Sequence, residues 1–323
     1  MSHGGEVKQV WPDLGAVIRE RLIDLAFQPI VRTITGDIIA VEALTRPRPE
    51  SGFPNPGVLF AAADAFGKSW DLELVVRDTI ADSVNALPPD RLLFFNTSPS
   101  VFADERYPEE IERFRERSGL TPEHFVLEIT ERAEGEQGAL ERNAILLRER
   151  GYQVAIDDMG AGSSGLNRIM SLRPAWLKLD RELIRGIDKD AYRQNLVRFL
   201  AYFTRLGGAR LIAEGVEELD ELNTLFDLGA DCVQGYALAR PGVVGQELPT
   251  DLVDWMRERG ATVVHETSFV ERLRTIDALT IPASACRVPP AARGPELDSA
   301  ATIADALLAV ADRADVEPLV PLA

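Results

Sequence analysis

Two adjacent carboxylates, Asp157 and Asp158, directly follow the short apolar run at residues 154–156. A β-branched apolar run closed by glycines predicts a buried parallel strand, so both acids lie at its end. Adjacent strand residues point to opposite faces, and the two side chains are therefore not expected to share one environment. Two acids at this position repel each other unless a cation lies between them. The pattern favours a Mg²⁺ or Mn²⁺ site with oxygen ligands, and a turn in which Asp caps the next helix is the alternative.

The same pattern recurs along the chain, because an acid, an amide or a lysine lies at the end of nearly every predicted strand. These residues are Glu42, Asn96, Glu128, Asp157, Asp158, Lys178, Glu214 and Gln234. Helix capping explains one such residue, but several carboxylates around one opening destabilise each other at neutral pH without cations. Lys178 is the natural electrostatic partner of the acids. Near metal ions its pKa is expected to fall, so that it positions or deprotonates a water molecule.

Eight predicted strands must position these residues, and helices separate most of them. The strands are expected at residues 25–31, 38–44, 91–95, 125–127, 154–156, 176–179, 210–213 and 231–233. A Thr-Gly-Asp turn between the first two strands indicates a hairpin. Alternating strands and helices predict a parallel sheet, and eight units predict a closed (β/α)₈ barrel. An open doubly wound sheet is the alternative, and no P-loop sequence supports it.

Helical periodicity predicts most of the segments between the strands and several beyond them. Helices are expected at residues 12–25, 58–66, 72–86, 108–117, 139–150, 192–206, 219–228, 251–259, 268–278 and 299–314. Residues 47–56, rich in Pro and Gly, are expected to form a loop. The predicted domains are an N-terminal lead-in at 1–21, a barrel at 22–245, and a C-terminal helical extension with a loose tail at 246–323.

The composition restricts the class of protein. The chain has 323 residues, is 46% apolar and carries a formal net charge of -17. Such a charge argues against a nucleic-acid polymer or an anionic membrane surface as partner, while a small anion held through metal ions stays compatible. No run approaches the length of a membrane span, and the two cysteines lack a CxxC spacing, so a cytoplasmic protein with reduced thiols is expected. Three scattered histidines disfavour a metal site built from histidine.

Seven sequence motifs occur in the order that one known family has them. They are VEALTR, FFNTSPSVF, LEITE, AIDDMGAG, WLKLDRELI, IAEGVE and QGYALARP. In this order they resemble the EAL-domain family of cyclic-di-GMP phosphodiesterases over residues 22–242. The tripeptide Glu-Ala-Leu alone occurs by chance, whereas the ordered set is specific. The resemblance implies a modified TIM-like barrel whose first strand runs antiparallel, and cleavage of cyclic di-GMP to linear pGpG with two Mg²⁺ or Mn²⁺ ions.

The resemblance also implies roles for individual residues. The metal ligands would be Glu42, Asn96, Glu128, Asp157, Asp158 and Glu214, with Asp157 bridging the two ions. Lys178 would hold the attacking water, and Glu214 would complete the second metal site or act as a base. The substrate contacts would be Gln28, Leu44, Arg46 and Gln234, with Arg46 on a phosphate. Glu217 would hold the loop that follows Asp158.

One loop departs from the family pattern. Family members usually read DDFGTGYSSL from the paired acids onward, whereas this chain reads DDMGAGSSGL, with Met159, Ala161 and Ser163 at the altered positions. In the family this loop couples the dimer interface to the metal site, so dimer-linked regulation is the property most affected. A homodimer, and a protein partner for the C-terminal extension, are further expectations.

Two other functions compete with the phosphodiesterase. An EAL-type barrel that binds cyclic di-GMP or a protein without turnover would be a receptor or interaction module. Such members usually lack one or more of the acids, and none is missing here. A TIM-barrel enzyme acting on another phosphodiester or a phosphorylated sugar explains the acidic opening but not the ordered motifs. A metal-dependent phosphodiesterase therefore remains the main expectation.

Overall fold

Eight strands close into one barrel, in which each strand neighbours the next in the chain. The computed structural model describes residues 12–130, 137–160 and 165–263. The strands are β1 (Ile23–Arg32), β2 (Ile38–Pro47), β3 (Leu92–Asn96), β4 (Phe125–Thr130), β5 (Gln153–Met159), β6 (Trp176–Leu179), β7 (Arg210–Ala213) and β8 (Cys232–Val233). β1 is antiparallel to both of its neighbours, β2 and β8, and all other pairs are parallel. The predicted modified barrel is confirmed, and the alternative of an open doubly wound sheet is wrong. The sequence of residues 160–165 does have the GxGxxG spacing that is typical of such sheets.

Helices connect the strands and surround the barrel. They are α1 (Leu14–Glu20), α2 (Pro56–Ala65), α3 (Ser69–Ser83), α4 (Pro99–Phe102), α5 (Tyr107–Ser118), α6 (Gln137–Glu149), α7 (Gly165–Leu172), α8 (Arg181–Ile184), α9 (Ala191–Leu206), α10 (Leu219–Leu228) and α11 (residues 250–263). Short 3₁₀ helices lie at Pro49–Ser51, Val84–Ala86, Pro122–His124 and Ile187–Lys189. In the described ranges, no helix is long and apolar enough to cross a membrane.

The predicted helices that lie between strands agree with the structure to within a few residues. The first predicted helix, which precedes β1, does not. The sequence patterns do not predict α4, α7 and α8. Two of these have only four residues, and α7 begins in a stretch of glycine and serine that hides its helical period. The helices expected at 268–278 and 299–314 lie outside the described residues.

The start of β1 and the end of β2 differ from their predicted positions. The predicted first helix extends to residue 25, but α1 ends at Glu20 because Arg21 adopts a left-handed conformation, with a φ of 52°. β1 then begins at Ile23, which pairs with Pro47 at the end of β2. The long antiparallel pairing supplies backbone hydrogen bonds to both strands, and this explains why β2 continues past residue 44 into the predicted loop.

One layer of apolar side chains, here called the plug, fills the interior of the barrel below its opening. Each strand contributes one buried residue to it: Ile30, Ala40, Phe94, Val126, Ala155, Trp176, Ile212 and Cys232. Phe94 and Trp176 meet edge to face, with their ring centroids 5.3 Å apart. A second apolar cluster packs the helices against the outer faces of the strands. Because strand residues alternate in direction, the next inward-pointing side chains lie two positions from the plug.

Helix α11 packs against the turn between β1 and β2, at the end of the barrel opposite the opening. Arg257 donates a hydrogen bond to the carbonyl oxygen of Thr35 at 3.2 Å. Trp255 meets Phe226 of α10 edge to face, with ring centroids 5.7 Å apart. Gly260 lies so close to the turn that a β-carbon would come within 2.0 Å of the carbonyl oxygen of Ile34. The C-terminal extension thus begins with a docked helix, and the domain boundaries at 21/22 and 245/246 stay predictions.

Gly260→Ala should destabilise the protein by about 1–3 kcal/mol, the usual cost of overpacking a filled space. The added methyl group would meet backbone atoms of Ile34, which cannot rotate aside as a side chain can. Thermal unfolding measures the effect. Gly57→Ala in α2 is the matched control, because its methyl group would lie 3.4 Å from the side chain of Asn55, an ordinary contact. Equal melting temperatures for the two variants would contradict the docking of α11.

Candidate active site

A layer of polar side chains, here called the polar layer, lies directly above the plug. It is reached by counting two residues onward from the plug in β2 to β8 and two residues back in the antiparallel β1. The residues are Gln28, Glu42, Asn96, Glu128, Asp157, Lys178, Glu214 and Gln234. Alternation along each strand therefore directs all eight side chains to one opening. Every one of these eight residues is among the site residues that the sequence predicts.

The ammonium group of Lys178 lies among four carboxylates of the polar layer. Its Nζ atom is 2.6 Å from Glu128 Oε1, 2.6 Å from Glu214 Oε1, 3.3 Å from Asp157 Oδ1 and 3.5 Å from Glu42 Oε2. The side chain of Lys178 is only 1% exposed, and that of Glu128 is fully buried. One cation thus faces four acids in a site from which water is largely excluded.

Two amides hold the carboxylate of Glu42 in place. Asn96 donates a hydrogen bond from Nδ2 to Oε1 at 3.0 Å, and Gln234 donates one from Nε2 to Oε2 at 2.8 Å. Gln28 lies opposite Glu42 in the pairing of β1 with β2, and its Oε1 is 3.4 Å from Gln234 Nε2. Hydrogen bonds to both carboxylate oxygens therefore fix the orientation of Glu42.

Glu128 has different surroundings. Both of its carboxylate oxygens are buried, and neither accepts a hydrogen bond from the described residues, although Lys178 Nζ approaches one of them. Buried polar atoms in proteins nearly always have a hydrogen-bond partner or a bound ion, so this carboxylate can bind a further partner. Asp157, Asp158 and Glu214 also bring oxygens within 4.8 Å of one another. Buried carboxylate oxygens that accept no hydrogen bond, beside a cluster of acids, fit a hard divalent cation.

Asp158 joins this cluster because β5 is irregular at that point. The pairing of β5 with β6 shifts between Ile156 and Met159, and Asp158 has a φ of 56°. Aspartate tolerates this left-handed conformation better than most residues do. The local change of direction lets both aspartates line the same cavity, so the expectation that they occupy separate environments is wrong. The residues that precede Gly165 in the loop, 161–164, lie outside the described residues, so the helix-capping alternative stays untested.

Burial and neighbouring charges shift the pKa values of the polar layer in different directions. Burial acts to lower the pKa of Lys178, but the surrounding carboxylates outweigh it and raise this pKa well above its usual value. Burial raises the pKa values of Glu128 and Glu214 well above the usual range, despite the nearby ammonium group. Burial also acts to raise the pKa of Glu42, but the charge of Lys178 and the hydrogen bonds from the two amides outweigh it, so this pKa lies below its usual value. The protein groups alone therefore keep Lys178 charged, and its lowered pKa beside metal ions stays a prediction.

Besides Asp158, three predicted site residues lie outside the polar layer. Leu44 and Arg46 follow Glu42 on the same face of β2, in the part of the strand that extends past the layer. Arg46 donates a hydrogen bond to the carbonyl oxygen of Thr45 at 3.0 Å. Glu217 is exposed and forms an ion pair with Arg181 at 2.9 Å. Residues 161–164 of the loop that Glu217 is expected to hold lie outside the described residues, so this role stays a prediction.

Asp180 and Tyr236 also line the cavity at the opening, and neither is among the predicted site residues. The cavity has a volume of about 250 Å³. Burial, followed by the charges of Asp157 and Asp180, raises the pKa of Asp158 to about 6. Tyr236 is half exposed, and the guanidinium carbon of Arg240 lies 4.4 Å from its ring centroid. Asp180 lies next to the end of β6, two positions beyond Lys178, so alternation could have indicated it, whereas Tyr236 lies in the turn after β8, where alternation no longer applies.

The sequence matches the EAL domain over residues 13–241, and the chain belongs to the EAL domain family. Protein y4lL of Sinorhizobium fredii, described as uncharacterized, is 31% identical over 255 residues, which are 74% of this chain and 31% of that protein. The matched part spans about a third of the length of the first curated relatives.

Two solved structures share the fold described above. One is the PaMucR phosphodiesterase in a complex with c-di-GMP, with 28% identity, a TM-score of 0.64, and matches to 75% of this chain and 98% of that chain. The other is BlrP1 of Klebsiella pneumoniae in a complex with manganese and cy-diGMP. It has 28% identity, a TM-score of 0.62, and matches to 70% of this chain and 57% of that chain.

The melting temperature of the protein in EDTA should rise as the pH falls from 7 to 5.5. The folded-state pKa of Asp158, about 6, lies above the ordinary aspartate value of 3.8, so the folded state binds more protons than the unfolded state in this range. Stability is therefore lost as the pH rises through 6. Asp158→Asn should raise the melting temperature at pH 7 and weaken its pH dependence, to which Glu128 and Glu214, whose pKa values burial also raises, contribute with the same sign.

Thermal unfolding at several pH values measures this effect. Asp64→Asn, on the exposed face of α2, is the control and should retain the pH dependence of the wild type. A wild-type melting temperature that instead increases from pH 5.5 to 7, and that Asp158→Asn leaves unchanged, would contradict the described environment of Asp158.

Proposed function

We propose that this protein hydrolyses cyclic di-GMP to linear pGpG at the barrel opening, with two Mg²⁺ or Mn²⁺ ions as cofactors. The observation that carries the proposal is the complete polar layer, in which eight strands direct carboxylates, amides and one lysine to a single opening. The similar structures support the choice of substrate, because PaMucR and BlrP1 both hold cyclic di-GMP. The manganese in the BlrP1 complex supports the choice of metal.

The chain offers a full set of oxygen ligands for the proposed ions. They are Glu42, Asn96, Glu128, Asp157, Asp158 and Glu214. The amide nitrogen of Asn96 donates to Glu42, so its oxygen is the atom left to bind a cation. Bound ions would lower the pKa of a water molecule and neutralise negative charge on the phosphodiester. A chain with a net charge of -17 is then compatible with an anionic substrate.

Lys178 and Glu214 are the residues proposed to act on the attacking water. Their side chains lie 2.6 Å apart, so one water molecule can contact both. The ammonium group would orient the water, and Glu214, in the ionised form that bound cations would favour, would accept a proton from it. The water oxygen bonds to phosphorus, the bond from phosphorus to a ribose 3′ oxygen breaks, and the released 3′ oxygen takes up a proton from the surrounding water. The product then carries a 5′-phosphate and a 3′-hydroxyl group, as pGpG does.

The remaining predicted residues would bind the substrate or support the site. Gln28, Leu44, Arg46 and Gln234 are the proposed substrate contacts, and Arg46 is suited to a phosphate because its guanidinium group has no carboxylate partner among the described residues. Glu217 is proposed to support the loop after Asp158. A cytoplasmic location, and a protein partner for residues 246–323, stay predictions.

A receptor that binds cyclic di-GMP without turnover is the second candidate function. One observation favours it: the loop sequence DDMGAGSSGL departs from the pattern usual in the family. All the proposed metal ligands are nevertheless present, which favours the enzyme. Hydrolysis of a different phosphodiester or of a phosphorylated sugar is the third possibility.

Wild-type protein should convert cyclic di-GMP to pGpG in the presence of Mg²⁺ or Mn²⁺, as measured by chromatography of the products. Glu42→Gln should lower the rate about a hundredfold or more, because it removes a charged ligand from the metal site. Glu110→Gln is the matched control and should retain the activity. Glu110 is also a buried glutamate, but it lies on α5 and pairs with Arg113, away from the opening.

The other outcomes separate the alternatives. Tight binding of cyclic di-GMP without product, in either metal, would support the receptor. Neither binding nor product, together with hydrolysis of another phosphate ester, would support the third possibility.

We also propose that the protein forms a homodimer through α9. Tyr192, Leu196, Phe199, Phe203 and Leu206 recur at alternating spacings of four and three residues, the spacing at which paired helices meet. Tyr192, Phe199 and Leu206 are 84%, 57% and 72% exposed. An apolar stripe of this length on a surface helix is typical of an interface, and the same stripe on a second copy matches its spacing.

Phe199→Asp should convert the dimer to a monomer, because the new carboxylate would be buried without a partner at the centre of the stripe. Size-exclusion chromatography with light scattering measures the mass. Phe66→Asp is the matched control, since Phe66 is also 57% exposed but lies after α2, away from the stripe. A wild type that is monomeric at micromolar concentration would exclude this dimer.

A further inference from the structure

A buried ion pair on α3 lies behind the part of the polar layer that contains Asn96. Glu73 and Arg77 are one helical turn apart and each is 2% exposed, and Arg77 Nη1 lies 3.2 Å from Glu73 Oε2. Replacing such a pair by apolar residues is often neutral or stabilising, so its presence is weak evidence for a role in stability. None of the roles proposed above uses it.

The other carboxylate oxygen of Glu73 holds the chain just after Asn96. Glu73 Oε1 accepts one hydrogen bond from the backbone N–H of Ser98 at 2.8 Å and another from Ser98 Oγ at 2.5 Å. Ser98 lies beyond the end of β3 and immediately before α4, where the hydrogen bonds of the sheet stop. Glu73 therefore fixes the backbone at the point where the barrel no longer does.

The preceding residue, Thr97, is held from two further directions. Its backbone N–H donates to the carbonyl oxygen of Glu128 at 2.9 Å, and its hydroxyl lies 2.8 Å from that of Tyr107. The ring of Tyr107 in turn lies 5.6 Å from the guanidinium carbon of Arg77. Buried groups of α3 and α5 thus hold both residues that follow β3.

The surroundings of Arg77 satisfy only part of the hydrogen-bonding capacity of its guanidinium group. Its Nε and Nη2 atoms are buried and have no hydrogen-bond partner among the described residues. The rings of Trp70 and Tyr107 lie within 5.9 Å of its guanidinium carbon and offer cation–π contacts instead. The stability of α3 alone does not explain why this ion pair is buried. A need to keep the carboxylate of Glu73 as hydrogen-bond acceptor for Ser98 does explain it.

We propose that Glu73 is a positioning residue for the candidate metal site, and that it acts through Ser98 on the direction of the Asn96 side chain. This inference rests on the proposed function, in which Asn96 is a metal ligand. Planar peptide bonds leave few soft dihedral angles between residues 96 and 98, so a shift of Ser98 turns Asn96 away from its 3.0 Å contact with Glu42. Groups that orient metal ligands typically contribute about 10–100-fold to metal affinity.

Two double variants separate the acceptor at position 73 from the buried charges. Glu73→Gln/Arg77→Met keeps a side-chain oxygen that can accept from Ser98, whereas Glu73→Leu/Arg77→Met has none. Both lack the ion pair, and the side chains at position 73 are similar in volume. Isothermal titration calorimetry with Mn²⁺ should find about tenfold weaker binding to the variant with Leu than to the variant with Gln.

The concentration of Mn²⁺ that half-saturates turnover should shift by the same factor, with a smaller change in the KM for cyclic di-GMP. A purely structural role would change the melting temperatures and leave the two Mn²⁺ affinities equal, and equal affinities in two folded variants would overturn the proposal. If either double variant does not fold, Ser98→Ala decides the question, because it removes one of the two hydrogen bonds to Glu73. Several-fold weaker Mn²⁺ binding would support the proposal, and unchanged binding would overturn it.

The calorimetric measurement needs no turnover, so it tests Glu73 independently of the substrate. A wild type that binds Mn²⁺ but makes no pGpG would remove the proposed enzyme and leave the comparison of the variants valid. A wild type that binds no Mn²⁺ would remove both proposals. Glu110→Gln serves again as the matched control and should retain the wild-type affinity for Mn²⁺.

Discussion

The candidate site depends on the balance between one ammonium group and the four carboxylates around it. All four lie within 3.5 Å of Lys178 Nζ, in a part of the barrel that is largely closed to water. Such a set is unstable unless protons or further cations offset the negative charge. The raised pKa values of Glu128 and Glu214 correspond to the first solution, in which the acids hold protons. Divalent ions would be the second solution for the same side chains, and the two solutions compete for the same oxygens.

Closure of the barrel determines how these groups meet. Each strand gives one residue to the plug and another, two positions away, to the polar layer, so the register that fills the plug also aligns the layer. The large rings of Phe94 and Trp176 share the plug with the small side chains of Ala40 and Ala155, and together they close the space below the acids. A slip of one residue in any strand would turn its polar side chain toward the helices and disrupt both layers. β1 obeys the same rule although it runs the opposite way, because alternation does not depend on strand direction.

The strand-end pattern predicts seven of the eight residues of the polar layer, because alternation along a strand is a local property, and the family resemblance adds Gln28. Residues such as Lys178 and Gln234 need only the position of one strand each to be assigned to the opening. Asp158 is different, since its left-handed conformation depends on how β5 pairs with β6, which no periodicity in β5 records. The extension of β2 likewise depends on its pairing with β1. Glu73 reads as an ordinary charged residue of a helix, and its partner lies 25 residues away in the chain, so only the folded structure links the two.

The antiparallel first strand changes the side from which the chain enters the barrel. In a fully parallel barrel, the first strand begins at the face opposite the active site. Here β1 begins at Ile23, which pairs with Pro47 at the end of β2 that lies beyond Glu42. β1 therefore starts at the rim of the opening and runs away from it. Arg48, the residue that follows β2, donates a hydrogen bond from its backbone N–H to the carbonyl oxygen of Leu22 at 3.0 Å. The polypeptide and any ligand of the opening thus approach the barrel from the same side.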